Sequence, residues 1–125
     1  MTAPVDIRIT TTEGTPLAAT LNDSAAARDF AAMLPLTLTL ADFHATEKVA
    51  DLPGRLSTDG SPDAAAATAG DIAYYAPWGN LALFYRDFPR SAGLVVLGHV
   101  SDPLDALVEG EGRPTVTIEA VPAAG

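Results

Sequence analysis

The stretch Gly70-Asp71-Ile72-Ala73-Tyr74-Tyr75-Ala76-Pro77-Trp78-Gly79-Asn80-Leu81-Ala82-Leu83-Phe84-Tyr85-Arg86-Asp87-Phe88 carries the only Trp, all three Tyr and two of the four Phe of the chain. Two short apolar runs flank a Pro77-Trp78-Gly79-Asn80 corner. In the second run, alternation places Leu81, Leu83 and Tyr85 on one face and Asn80, Ala82, Phe84 and Arg86 on the other. Aromatic side chains bury large areas, so part of this segment belongs to a core. A Trp on a turn has few ways to be fully buried. Either it plugs one end of a barrel or it lines a ligand site.

The same period of two recurs on both sides of this segment. Ile7 and Ile9 alternate with Arg8 and Thr10, and Leu17, Ala19 and Leu21 continue the pattern after the Thr12-Glu13-Gly14-Thr15 turn, which predicts a hairpin. Asn22-Asp23-Ser24 supplies a helix N-cap; Ala26, Phe30, Met33 and Leu34 follow at helical spacing, and Pro35 ends the helix. Leu36, Leu38 and Leu40 then face inward on a strand. Phe43 to Asp51 carries a broken strand pattern. Gly54 to Gly70, with Pro62 and the run Ala64 to Ala67, reads as a long surface loop, either functional or a tolerated Ala-rich insertion. Leu94 to Val100 is a strand, Asp102-Pro103 opens a short helix through Leu104 to Val108, and Thr115 to Glu119 is the last strand. About eight short strands with two short helices predict an all-β fold, a closed or nearly closed antiparallel β-barrel with the helices capping its ends. Leu36, Leu38, Leu40, Leu81, Leu83, Ile7, Ile9, Val116 and Ile118 are its expected core.

Length, charge and composition narrow the function. The 125 residues are expected to form one domain, residues 1–125. No apolar run approaches the roughly 18 residues of a membrane span, and Met1 to Asp6 lacks the pattern of a secretory signal. Without Cys there is no disulfide, thiolate metal site or cysteine nucleophile. A cytoplasmic location is the expectation. Seven basic residues against 16 acidic ones give a net charge of −9, a field that disfavours nucleic acid and anionic lipid and suits a cationic or neutral partner.

The order of elements and several local patterns resemble cyclophilins. Ile7-Arg8-Ile9-Thr10-Thr11-Thr12-Glu13-Gly14, then Leu21-Asn22-Asp23-Ser24-Ala25 and a helix, is similar to a cyclophilin N-terminus. Leu97-Gly98-His99-Val100 with Leu104-Asp105-Ala106-Leu107 resembles the family's late strand and helix. The chain most resembles a branch of small bacterial cyclophilin-like proteins, through Leu34 to Thr37, Thr46-Glu47-Lys48 and the long block Gly70 to Asn80. The resemblance implies a cyclophilin-like barrel; fold alone does not fix an activity. Cyclophilins isomerise proline with an Arg in a Phe-His-Arg-like strand. The comparable stretch here is Asp42-Phe43-His44-Ala45-Thr46-Glu47, with no Arg after His44, and Leu83-Phe84-Tyr85 lacks the Gln of the groove strand.

The remaining chemistry is sparse. Asp42 and His44 share a strand face, Glu47 takes the other, and two ligands do not make a metal site. No nucleophile elbow or phosphate loop is present, so no catalytic residue, metal or cofactor is assigned. The best constellation is aromatic: Phe43, His44, Tyr75, Trp78 and Phe84, with Glu47, Asn80 and Arg86 as polar fixers. It reads as a groove for a small molecule or extended peptide, or as a secondary core between the barrel wall and the 54–70 loop. A peptidyl-prolyl isomerase with rearranged groups and an oligomer interface are the alternatives; the oligomeric state stays open.

Overall fold

The period of two seen in the sequence becomes a register. A computed structural model describes residues 5–11, 14–43, 46–104 and 115–121. Strands β1 (Val5–Thr11) and β2 (Pro16–Leu21) pair antiparallel with Ile7 opposite Ala19 and Ile9 opposite Leu17. Ile7, Ile9, Leu17, Ala19 and Leu21 are buried, while Asp6, Arg8, Ala18 and Thr20 are exposed. Helix α1 (Ala25–Ala32) starts at Ser24, whose Oγ accepts from the Ala27 amide at 3.1 Å and satisfies one of the free first-turn donors. It buries Ala26, Ala27 and Phe30 against the barrel.

The chain continues through β3 (Leu36–Thr39), β4 (Ala41–Phe43), β5 (Glu47–Asp51), β6 (Ala64–Ala67), β7 (Asp71–Tyr75), β8 (Asn80–Phe84), β9 (Phe88–Ala92), β10 (Leu94–Val100) and β11 (Thr115–Ala120). Nine strands form one antiparallel sheet in the order β3-β11-β1-β2-β10-β7-β8-β5-β4. Its two edge strands, β3 and β4, are separated in sequence by the buried Leu40 alone. This link brings the edges together into a nearly closed barrel and leaves little edge exposed to foreign strands. At Gly98 the barrel wall is tight: a Cβ there would lie 2.2 Å from the Thr20 carbonyl oxygen, and the β7–β10 register shifts between Val96 and Gly98.

The interior is one contiguous cluster that includes Ile7, Ile9, Leu38, Leu40, Leu81, Leu83, Val116 and Ile118, with Leu36 packed against it. A second cluster lies outside the wall. Ala67, Ala73, Ala82, Phe84 and Leu94 are buried there, with Val49, Tyr75 and Phe88 beside them. It is covered by the small β6–β9 sheet.

That small sheet corrects the expectation of a long loop. Ala64 to Ala67 is a strand, paired through Ala64–Ala92, Ala65–Ser91 and Ala67–Phe88. Four alanines carry no period, and Pro89 with Arg90 disguises the partner strand. Residues 53–63 remain irregular, tied back by Ser57 N–H to Asp29 and Leu56 N–H to the Tyr74 hydroxyl. The broken pattern between Phe43 and Asp51 is resolved as the two strands β4 and β5. The helix expected after Pro103 falls outside the described residues beyond Leu104.

Leu83 is 1% exposed and sits in the interior cluster. Leu83→Ala is expected to destabilise the fold by about 2–5 kcal/mol, the cost of a lost side chain plus a cavity. A denaturant melt reads this directly; a loss below about 1 kcal/mol would contradict the packing described.

Candidate functional site

A tight corner at the end of β7 builds the site. The amides of Trp78 and Gly79 both donate to the Tyr75 carbonyl, at 3.2 and 2.9 Å. Ala76 N–H donates to the Gly93 carbonyl at 2.9 Å, and Gly93, at φ +83°, leaves room for the Pro77 ring. A Cβ at Gly93 would meet Pro77 at 2.7 Å, so the corner seats on the β9–β10 turn only because that residue is Gly. Trp78 is thereby held outward, 59% exposed. Its ring meets Phe43 edge-on at 5.6 Å and Tyr75 at 5.2 Å, with interplanar angles of 79° and 89°.

Beside this corner lies a concavity of about 120 Å³. The structure brings Phe43, Glu47, Tyr75, Trp78, Asn80 and Phe84 around it. Phe88 and Ser91 of β9 and Leu94 of β10, which sequence reasoning missed, complete the wall. Phe84 stacks at a tilt on Phe88, 5.2 Å between centroids. The back of the concavity is therefore the secondary core, and its mouth is the open Trp78 corner. Phe88 stood in the aromatic stretch already singled out, but no alternation tied it to this face.

One described residue expected at the site, Arg86, is exposed and is not on this wall. Strand β8 ends at Phe84, so the alternation that put Arg86 beside Phe84 does not continue. The backbone there turns to other partners: Gly70 N–H bonds the Phe84 carbonyl at 2.7 Å and Tyr85 N–H the Thr46 carbonyl at 3.1 Å. Asp87, beside Arg86, accepts from the Ala69 amide. His44 lies outside the described residues.

The polar groups on the wall are poorly satisfied. Asn80 is buried and its Oδ1 has no hydrogen-bond partner among the described residues. Glu47 is 9% exposed, opposite Phe43 on one neighbouring strand and Phe84 on the other. Burial pushes its carboxyl above the usual carboxylate range. The opposite face of the same strands is arranged differently. Lys48 is buried, its Nζ is 3.5 Å from Asp42 Oδ1, and the Tyr85 hydroxyl donates to the same carboxylate. The Tyr85 hydroxyl is pushed up to about 12, by desolvation first and then by its hydrogen bond to Asp42 and the charge there, with Arg86 opposing.

The Glu47 shift has a defined pH consequence. An unfolded carboxyl titrates near 4.5, and the folded one above it. Between the two values the folded state holds a proton that the unfolded state has lost, so stability falls as pH rises through that window, and the cost persists above it. Glu47→Gln removes this cost. Relative to the unmodified chain, the variant is expected to be more stable at about pH 7 than at about pH 4. Denaturant melts at both pH values check this; an equal difference at both would contradict it.

Comparison with known proteins agrees with the barrel. The family model described as the cyclophilin-like family matches residues 10–119. No curated protein matches the sequence. The match covers most of the chain, including every strand that builds the concavity, and the chain belongs to the cyclophilin-like family.

Proposed function

We propose that this chain is a binding domain that takes a small molecule or an extended peptide in the aromatic groove and does not isomerise proline efficiently. The observation that supports this most is Glu47, a largely buried carboxyl with no hydrogen bond or ion pair among the described residues, on the wall of an open aromatic concavity. Leaving such a group unpaired costs about 1–3 kcal/mol. A ligand N–H that reaches it recovers much of that cost. The concavity, about 120 Å³, is smaller than the roughly 300–1,000 Å³ of pockets for drug-sized molecules. It suits one side chain or a compact molecule. The acidic balance of the chain argues against nucleic acid and anionic membranes as partners. The α1 helix spans 8 residues, and no described helix is long and apolar enough to cross a membrane. Action in the cytoplasm is part of the same proposal.

Slow catalysis follows from the chemistry of the groove. Amide rotation has a barrier of about 18–20 kcal/mol, and an enzyme lowers it with a donor fixed on the amide. Ala45 stands where cyclophilins place Arg, and no Arg or Lys is among the described residues lining the concavity.

Two measurements test this reading. A proline-containing tetrapeptide assayed at low temperature, where background isomerisation is slow, is expected to show activity at least ~100-fold below an ordinary cyclophilin. Activity equal to a cyclophilin and abolished by Arg86→Ala would replace the proposal with a rearranged isomerase. A panel of small molecules and peptides, read by emission of the single Trp, is expected to yield a ligand whose binding Phe43→Ala weakens about tenfold. A ligand unaffected by Phe43→Ala would place binding elsewhere.

A further inference from the structure

We propose that the groove recognises a protonated alkylamine, either a free small amine or the side chain of a peptide lysine. This rests on the reading of the groove as a ligand site and names its chemistry. The Glu47 carboxyl has no ion pair or hydrogen bond among the described residues, although it is 9% exposed. Its sequence neighbour Lys48 does not neutralise it, because alternation turns Lys48 to the opposite face, where it pairs with Asp42. Among the described lining residues the other polar groups are Asn80, Ser91, the Tyr75 hydroxyl and the Trp78 indole N–H, and none is basic.

Charge complementarity selects the ligand. An anion would meet the Glu47 carboxylate in a poorly hydrated wall. A neutral apolar molecule would leave the Glu47 carboxyl unpaired. A cation bearing N–H groups satisfies an acceptor and the charge together. The aromatic walls favour the same choice. By register Glu47 stands between Phe43 and Phe84, and Trp78 is set nearly perpendicular to both Phe43 and Tyr75. Ring faces are thus offered in more than one direction, the arrangement that holds an ammonium by cation–π attraction. The net charge of −9 concentrates cations near the surface.

Shape sets the form of the amine. The concavity, about 120 Å³, takes one linear alkyl chain, with the ammonium at Glu47 and the stem along Trp78 and Phe43. A peptide lysine offers such a chain, and so does a free alkylamine.

The test uses the unmodified chain at about pH 8 and constant ionic strength, with Trp78 emission as readout. The probes are n-pentylammonium chloride, 1-pentanol, sodium pentanoate, Nα-acetyl-lysine N-methylamide and its Nε-acetylated form. Pentylammonium is expected to bind at least ~10-fold more tightly than pentanol, with pentanoate weakest. The lysine amide is expected to lose a similar factor on Nε-acetylation. If the lysine amide outbinds pentylammonium, the source is a peptide; the reverse order indicates a free amine, and both support the proposal. Glu47→Gln is expected to erase the preference for the cation. Equal binding of pentanol or pentanoate overturns the amine proposal while leaving the groove a ligand site. Emission unchanged by every probe overturns both. Should Glu47→Gln fail to fold, the ammonium–alcohol comparison on the unmodified chain decides alone.

Discussion

Strand β8 is covered on both faces, and the remainder of the molecule follows from that constraint. Leu81 and Leu83 fill the barrel, while Ala82 and Phe84 meet Ala67, Ala73 and Leu94 under the small outer sheet. An antiparallel strand usually has one face in water and alternates apolar with polar residues. Covering the second face removes that freedom and demands the unbroken run Leu81-Ala82-Leu83-Phe84. The small size of Ala73 and Ala82 lets the outer layer lie close. Asn80, at the first position of β8, is where the doubly covered layer gives way to the Trp78 corner. The outer layer therefore provides the back wall of the concavity as well as a second core.

The parts of this arrangement legible in the sequence are those where one physical signal dominated. β1, β2, β3 and β11 each bury one face, so Ile7, Ile9, Leu38, Val116 and Ile118 stood out by period alone. Ser24 announced α1 because a free hydroxyl before an Ala-rich turn has a clear use as a cap. β6 was invisible for the opposite reason. Alanines fit strand, helix or loop, and Ala64 to Ala67 form a strand only because β9 lies beside them. β9 in turn carries Pro89, Arg90 and Ser91, which read as a loop. Phe88 and Ser91 escape the groove reading because β9 reads as a loop, and Leu94, on an expected strand, because nothing in the sequence sets that strand beside this wall. The position of Arg86 was misjudged by extending an alternation past the point where backbone hydrogen bonds end the strand.

Membership of the cyclophilin-like family places the barrel, and the groove's chemistry has to be argued from its own residues. The contrast between adjacent positions on β5 carries that argument. Lys48 and Glu47 are both buried, yet they point to opposite faces. On the inner side the charge is matched: Lys48 meets Asp42, and the same carboxylate accepts from Tyr85. On the outer side the Glu47 carboxyl and Asn80 Oδ1 have no partner among the described residues. By register Glu47 sits between Phe43 and Phe84, beside a corner that Gly93 and Pro77 fix in place. The fold bears the cost of leaving both groups unpaired. Groups positioned in advance lose less entropy when a partner binds.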